Sequence, residues 1–406
     1  MFFLSEKNLS YDIIRDESEE FMMTRMLYII IVVSFLDTFI QLPIITPYAI
    51  DLGASHMLTG AIVAIYSLTN MIGNIVGGHF IDRFGRKQML LLGVISVAII
   101  LLFYPLAQTG MQLLTIRFLH GLAGGVLIPA AFAFIGDQTK KQTRGKTMAF
   151  TGASIGIAAI LGPALGGAMA AQSKVEHVFI FVSILFVVTS VLIIKYVKDT
   201  YTKTDRGKAS LRKFFPILKN PFIMQASLAA FALMVSNGTL AFALPLKVED
   251  ISLSSAVTGM LLSTFGITAL IVFLTPINRI YDRFSPVVLV LTGIGLISAS
   301  LVVVNYMSNF WVGFIAMIVY GFGFALIFPS MNRMVADATT ESNRGKAYGV
   351  FYAFFSLGVV AGSTCSGIVS QYLGMPFIFS ALVMFMCGLL LFVMTKVTQK
   401  DTSCLD

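Results

Sequence analysis

With 57% hydrophobic and only 12% charged side chains, this 406-residue chain is too apolar for an ordinary soluble domain, where charged residues run at about 25%. Its net charge of +8 lies in short loops between apolar runs, not on one basic face, which excludes a nucleic-acid surface. Three cysteines in mostly apolar settings (Cys365, Cys387, Cys404) are too few for a disulfide frame or metal cluster, so no metal or other cofactor is expected.

In chain order, residues 1–24 read as a polar, acidic cytoplasmic tail, with Asp16, Glu17, Glu19 and Glu20 close together. Phe2, Phe3, Leu4, Ile13 and Ile14 suggest at most a weak interfacial helix there. No short basic segment precedes a cleavable apolar stretch, so the first apolar run, 28–50, is expected to remain as an anchor. A bilayer core about 30 Å thick needs roughly 20 apolar residues per helix. Runs of that order follow at 56–80, 88–108, 112–136, 147–171 and 177–197. After a charged connector at 198–219 they resume at 220–246, 254–279, 286–306, 309–336, 347–371 and 375–396. The expected architecture is all-α and membrane-integral: twelve transmembrane helices, in one six-helix bundle over 25–197 and another over 220–397. A short tail, 398–406, closes the chain.

The two halves are copies. Asp82-Arg83-Phe84 returns as Asp282-Arg283-Phe284, and Arg144-Gly145-Lys146 as Arg344-Gly345-Lys346, at an offset of 200. Gly121, Pro129, Asp137, Gly162 and Gly167 return in the same register as Gly321, Pro329, Asp337, Gly362 and Gly367. Paired membrane bundles around a midplane site are how secondary transporters are built. Of the 28 Lys and Arg residues, all but Lys174, Lys247 and the intramembrane Arg117 fall on the side of the N-terminus. That asymmetry places both termini in the cytoplasm.

Asp37 is the one acid deep in an apolar run, and its counterpart in the repeat is the neutral Asn237. An intramembrane acid is costly and marks function by default, which suits proton coupling; a structural carboxyl bridging helices is the alternative. The loop after the second span reads Gly78-His-Phe-Ile-Asp82-Arg83-Phe-Gly85-Arg86-Lys87. The second half keeps the remnant Asn278-Arg279-Ile-Tyr-Asp282-Arg283-Phe-Ser285. In the fourth span, Arg117 costs at least about 2.5–3.5 kcal/mol to insert and so needs a partner or a task, unless it snorkels to the interface. Its counterpart is Met317, so the fold itself does not require it. His120, one turn on, is a candidate proton carrier or a packed, uncharged histidine. The fifth span carries Gly162-Pro163-Ala-Leu-Gly166-Gly167, where glycines permit close helix approach and the proline bends its helix.

The 78–87 loop matches G-x-x-x-D-R-x-G-R-K at every defined position, and through it the chain resembles the major facilitator superfamily. The resemblance runs over about residues 25–397. It implies a gate in which Gly78, Asp82, Arg83, Gly85 and Arg86 lock one conformation. Asp82 would lie near the start of the eleventh span, and Arg83 or Arg86 would pair with Asp137. It also implies a proton-relay or substrate-contact role for Arg117. G-P-x-x-G-G, over Gly162, Pro163, Gly166 and Gly167, is similar to the family's antiporter motif and so points to export. The function the resemblance implies is proton-coupled export of small molecules, of multidrug type, by a monomer in the cell membrane.

Helices 1, 4, 7 and 10 would line the cavity, and polarity or aromaticity selects Gln41, Tyr66, Asn70, Asn237, Tyr320 and Phe324 for its surface. The expected partners are protons, a small-molecule substrate and the lipid bilayer. Alternative readings are a dedicated exporter of a metabolite (sugar, peptide or metallophore), a lipid translocator, and a non-transporting membrane sensor on the same fold. No enzyme is expected, and the chain lacks the G-x-x-x-x-G-K-[ST] loop of an ATP-driven pump.

Overall fold

A lipid-buried backbone must satisfy its own polar groups, so apolar runs of this length fold as helices. The computed structural model describes residues 26, 28–138, 144–197, 215–340 and 344–403. The tail expected at 1–24 and most of the connector expected at 198–219 lie outside the described residues.

The first span is two helices, α1 (Tyr28–Ile40) and α2 (Ile45–Asp51), meeting at a bend of 46°. Pro43 lies in the break between them, where it has no N–H to continue the ladder. The half continues with α3 (His56–Phe84), α4 (Arg86–Leu101), α5 (Gly110–Gln138), α6 (Arg144–Gln172) and α7 (Val175–Tyr196). A 3₁₀ turn, Tyr104–Leu106, links α4 to α5. The short α8 (Phe215–Leu218) leads into α9 (Pro221–Asp250) and α10 (Ser255–Leu274), then the four-residue α11 (Ile280–Arg283). Helices α12 (Pro286–Asn305), α13 (Phe310–Asp337), α14 (Arg344–Tyr372) and α15 (Pro376–Ser403) complete the chain. Among the described residues eleven helices are long and apolar enough to cross a membrane, and the α1–α2 pair makes a twelfth span.

The repeat is imperfect in its first span, bent between α1 and α2 but unbroken in α9, and at the end of its second. Helix α3 runs unbroken to Phe84, whereas its copy α10 stops at Leu274, where Pro276 opens a 3₁₀ turn. Gly85 then caps α3 and starts α4 with φ +92° and ψ 157°, a conformation essentially restricted to glycine. Ser285 at the matching place has ordinary extended angles, and its hydroxyl accepts from the Val288 N–H.

Each half has its own core: Ile30, Tyr48, Leu90, Phe134 and Phe179 in the first, and Leu233, Phe242, Val290, Ile327 and Phe351 in the second. The halves meet along α3 against α14 and α6 against α10. We call the end bearing the start of α1 and the end of α15 the terminal face, and the opposite end the distal face. Among the described residues, the hydrogen bonds that join the halves sit toward the distal face. Thr46 Oγ1 donates to the Ala241 carbonyl at 3.1 Å, and His56 Nδ1 lies 2.8 Å from Ser370 Oγ. The Met57 N–H donates to Gln371 Oε1, and Ser255 and Ser263 donate to the carbonyls of Gly167 and Ile160. One and two turns from Ile160 toward the terminal face, Gly156 and Gly152 meet nothing within 4 Å. The bundles are thus pressed together at the distal end.

Candidate functional site

Asp37 is near the end of α1, and Gln41 follows one turn later on the break. That spacing lets the Gln41 amide donate to Asp37 Oδ1 at 2.7 Å and to the Asp37 backbone carbonyl at 3.0 Å. Helix α5 supplies the opposing groups. Its Gly121 is pressed so close to α3 that an added Cβ would lie 2.5 Å from the Tyr66 carbonyl oxygen. One turn before that contact Arg117 Nη1 donates to Gln41 Oε1 at 2.7 Å, and Nε donates to the Ile62 carbonyl at 3.3 Å. The guanidinium carbon stands 4.5 Å from the centroid of the Tyr66 ring, within cation–π range. His120 Nε2 lies 3.0 Å from Asp37 Oδ2.

Arg117 therefore reaches Asp37 through Gln41, whose amide donates to the acid while its carbonyl accepts from the guanidinium. Asp37 and His120 are in direct contact, an ion pair only when the imidazole is protonated. All four side chains are buried, between 0% and 6% exposed, so each polar atom depends on the others for its partners. Such a network can hold or release one proton at Asp37 without leaving any member unpaired, provided its partners reorient.

Sequence reasoning picked out Asp37, Arg117 and His120. Gln41 and Tyr66, expected at the cavity surface, are part of this buried network; the Tyr66 hydroxyl lies 3.2 Å from Thr38 Oγ1. Tyr104 was missed. Its hydroxyl lies 2.8 Å from His120 Nδ1, and its ring stacks on Phe179 at 4.1 Å. The Tyr48 hydroxyl donates to the Tyr104 carbonyl at 2.7 Å.

The repeat offset carries a signal for these residues. Asp37, Gln41, Tyr104, Arg117 and His120 correspond to Asn237, Ala241, Val304, Met317 and Tyr320. In the second half the Tyr320 hydroxyl lies 2.8 Å from Ser236 Oγ. The same place in the fold is thus neutral in one half and ionisable in the other.

Of the other expected cavity residues, Asn70 accepts from Asn74 on α3, and Phe324 stacks on Phe328 at 5.4 Å in α13. Asn70 also borders Gly124 of α5. The glycine motif of α6 lies at a junction of helices. A Cβ on Gly162 would fall 2.7 Å from that of Phe39, and one on Gly166 would run into the Ile40 carbonyl, both on α1 beside Asp37. Gly167 and Pro163 instead face Gly259 of α10 in the other half. In the 78–87 loop, Gly78 lies within α3, Arg83 is exposed with its guanidinium carbon 5.4 Å from the Phe84 ring centroid, and Arg86 opens α4 half-buried. The carboxylates of Asp82 and Asp137 lie outside the described residues.

The model of the Major Facilitator Superfamily matches residues 27–246 and again 226–403, nearly the whole described chain and one copy per half. This chain belongs to the major facilitator superfamily. It is a multi-pass membrane protein and a secondary transporter. Relatives include the multidrug resistance protein MdtG of Citrobacter koseri, 24% identical over 349 residues, 83% of this chain and 86% of the relative. MdtG of Serratia proteamaculans is 25% identical over 332 residues, 80% of each chain. A bacterial homolog of the human lysosomal transporter Spinster, inward-facing and unoccupied, has the same fold with a TM-score of 0.79 at 13% identity, covering 94% and 98% of the two chains. The human organic anion transporter MFSD10 (TETRAN) follows it with a TM-score of 0.66 at 17% identity, covering 92% and 99%.

Proposed function

We propose that this transporter exports small lipophilic molecules across the cytoplasmic membrane in exchange for protons, with both termini in the cytoplasm and Asp37 as the proton-carrying group. The observation that carries the reading is the buried Asp37–His120 contact at 3.0 Å, together with its neutral counterpart in the second half. A fold that needed this pair for architecture alone would need it in both copies. Lipophilic substrates are suggested by the multidrug resistance proteins among its relatives, and export by the glycine motif that packs α6 against α1 beside the acid.

With the termini in the cytoplasm, the closed distal face is the outer one and this conformation faces inward. Substrate enters from the cytoplasm while Asp37 is unprotonated. After the distal face opens, a proton from outside reaches Asp37 and substrate leaves; return to the inward state releases the proton inside. Each conformation is favoured by what it binds better, so proton and substrate exchange through one two-state equilibrium. The charge cluster of Asp82, Arg83, Arg86 and Asp137 would lock the opposite, cytoplasm-closed state.

The test uses purified protein in liposomes with an imposed pH gradient and an internal pH dye. Ethidium or tetraphenylphosphonium is added to wild type and to Asp37→Asn. Substrate-dependent proton movement in the wild type and its loss in the variant are expected; undiminished movement in Asp37→Asn removes the acid from the mechanism. Silence toward both cations redirects the substrate search to secreted metabolites.

A further inference from the structure

The α4–α5 connection reaches into the first bundle with the Tyr104 hydroxyl. It lies 2.8 Å from His120 Nδ1 although Tyr104 is itself fully buried. The fold does not demand it, since Val304 fills the equivalent position in the second half. Two contacts hold the residue: the ring stacks on Phe179 at 4.1 Å, and the Tyr48 hydroxyl donates to its backbone carbonyl at 2.7 Å.

The direction of each hydrogen bond follows from what its groups are able to do. A carboxylate only accepts, so while Asp37 is ionised His120 Nε2 carries the proton and donates it to Asp37 Oδ2, 3.0 Å away. In the neutral imidazole Nδ1 is then the accepting nitrogen and takes the Tyr104 O–H, 2.8 Å away. When the proton taken up at Asp37 is shared with His120, Nδ1 becomes a donor and the Tyr104 hydroxyl must reverse to accept from it.

We propose that Tyr104 is a positioning residue for proton exchange, holding His120 in the Nε2–H form that donates to Asp37. This rests on the proposed role of Asp37. The groups that face the pair are Arg117 and Tyr66 around His120, the latter's ring centroid 5.1 Å from the imidazole, and Tyr48 and Phe179 around Tyr104. Glu176, at the distal end of α7, lies beyond Tyr48.

The experiment uses full-length protein labelled with ¹⁵N at its four histidines, His56, His79, His120 and His177. Loss of a signal pair in His120→Asn assigns His120. In wild type its two ring nitrogens should give the separated shifts of a single Nε2–H tautomer at neutral pH. Tyr104→Phe deletes the hydroxyl but keeps the stacked ring, and should collapse that separation toward mixed tautomers. Tyr48→Phe removes a bond to the same loop without touching His120, and should leave the pattern alone. An unchanged pattern in Tyr104→Phe overturns the proposal, as does an equal collapse in Tyr48→Phe, which would assign the effect to loop packing. The pH profile of ethidium-driven proton movement in liposomes is read alongside, where a shifted profile in Tyr104→Phe is expected. Proton movement lost in Asp37→Asn with an unshifted profile in Tyr104→Phe overturns the positioning role and leaves the acid's role standing. Proton movement retained in Asp37→Asn overturns the role of the acid itself.

Discussion

Gly60 of α3 and Gly367 of α14 touch across the two halves, so close that a Cβ on Gly60 would lie 3.0 Å from the Gly367 Cα and 2.6 Å from the Ser363 carbonyl oxygen. Gly167 of α6 and Gly259 of α10 repeat the arrangement on the other side, where a Cβ on Gly167 would lie 3.1 Å from the Gly259 Cα. The distal closure is thus a pair of backbone-to-backbone contacts flanked by the His56–Ser370 and Ser255–Gly167 hydrogen bonds.

Gly60→Val and Gly167→Val should therefore weaken the closed distal end. Overpacking costs about 1–3 kcal/mol, a shift of roughly five- to a hundredfold in the ratio of closed to open states. Spin labels at positions 173 and 373, exposed on the distal face of opposite halves, report it once Cys365, Cys387 and Cys404 are replaced. A longer distance population is expected in both variants; distances that match the parent protein would mean the glycines do not limit closure.

Gly166→Ala tests a different junction. The added Cβ meets the Ile40 carbonyl on α1, one residue before the bend and three after Asp37. Helix α1 must shift, which strains its hydrogen bonds to α5, Gln41–Arg117 and Asp37–His120. Proton-coupled flux should fall by tenfold or more, about the effect of 1.4 kcal/mol, with protein yield and helicity retained. Gly152→Ala, on the same helix but facing open space, should behave as wild type.

Asp37 and His120 should also be coupled in stability. Asp37→Asn and His120→Asn each leave a buried group without its partner, a cost of about 1–3 kcal/mol. The double variant should lose less than the sum, by about 0.5–3 kcal/mol, as expected for residues in contact. Thermal unfolding in detergent, followed through the single Trp311, measures the cycle. Additive losses would mean the 3.0 Å contact contributes nothing.

Gly85 predicts an asymmetry between the halves. At φ +92° and ψ 157° a side chain is strained, so Gly85→Ala should cost about 1–3 kcal/mol. Ser285→Ala removes only a cap hydrogen bond, about 1 kcal/mol. Unfolding midpoints for the two variants give the comparison, and equal losses would contradict the conformational argument.

The spans, their number and the duplication were legible because each rests on one strong local signal: apolar length, charge between runs, or a fixed offset. The α1–α2 bend at Pro43 and the early end of α10 before Pro276 were not. A proline in an apolar run fits an interior kink as well as a break, and packing decides between them. At the site, Asp37, Arg117 and His120 stand out because ionisable groups are expensive in lipid. Gln41 and Tyr104 do not, since a neutral amide or phenol is cheap enough to sit on a cavity wall or in a loop. Their roles depend on which atoms α1 and α5 bring within 3 Å, and only the offset comparison with Ala241 and Val304 hints at them.

Arg117 gives the last prediction. Its second-half counterpart, Met317, is fully buried and needs no partner, so Arg117→Met asks whether the first half can work with the chemistry of the second. Methionine matches the length of the arginine stem but leaves Gln41 Oε1 without a donor, about 1–3 kcal/mol, and takes the second donor from the helical Ile62 carbonyl. It also removes the cation above the Tyr66 ring. Arg117→Lys keeps the charge, but an ammonium cannot serve two divergent acceptors and lie flat on an aromatic face together. Both variants should therefore lose proton-coupled flux, with Arg117→Met also unfolding at lower temperature. Full flux in Arg117→Lys would show that charge alone matters, and full flux in Arg117→Met would remove the arginine from the coupling network.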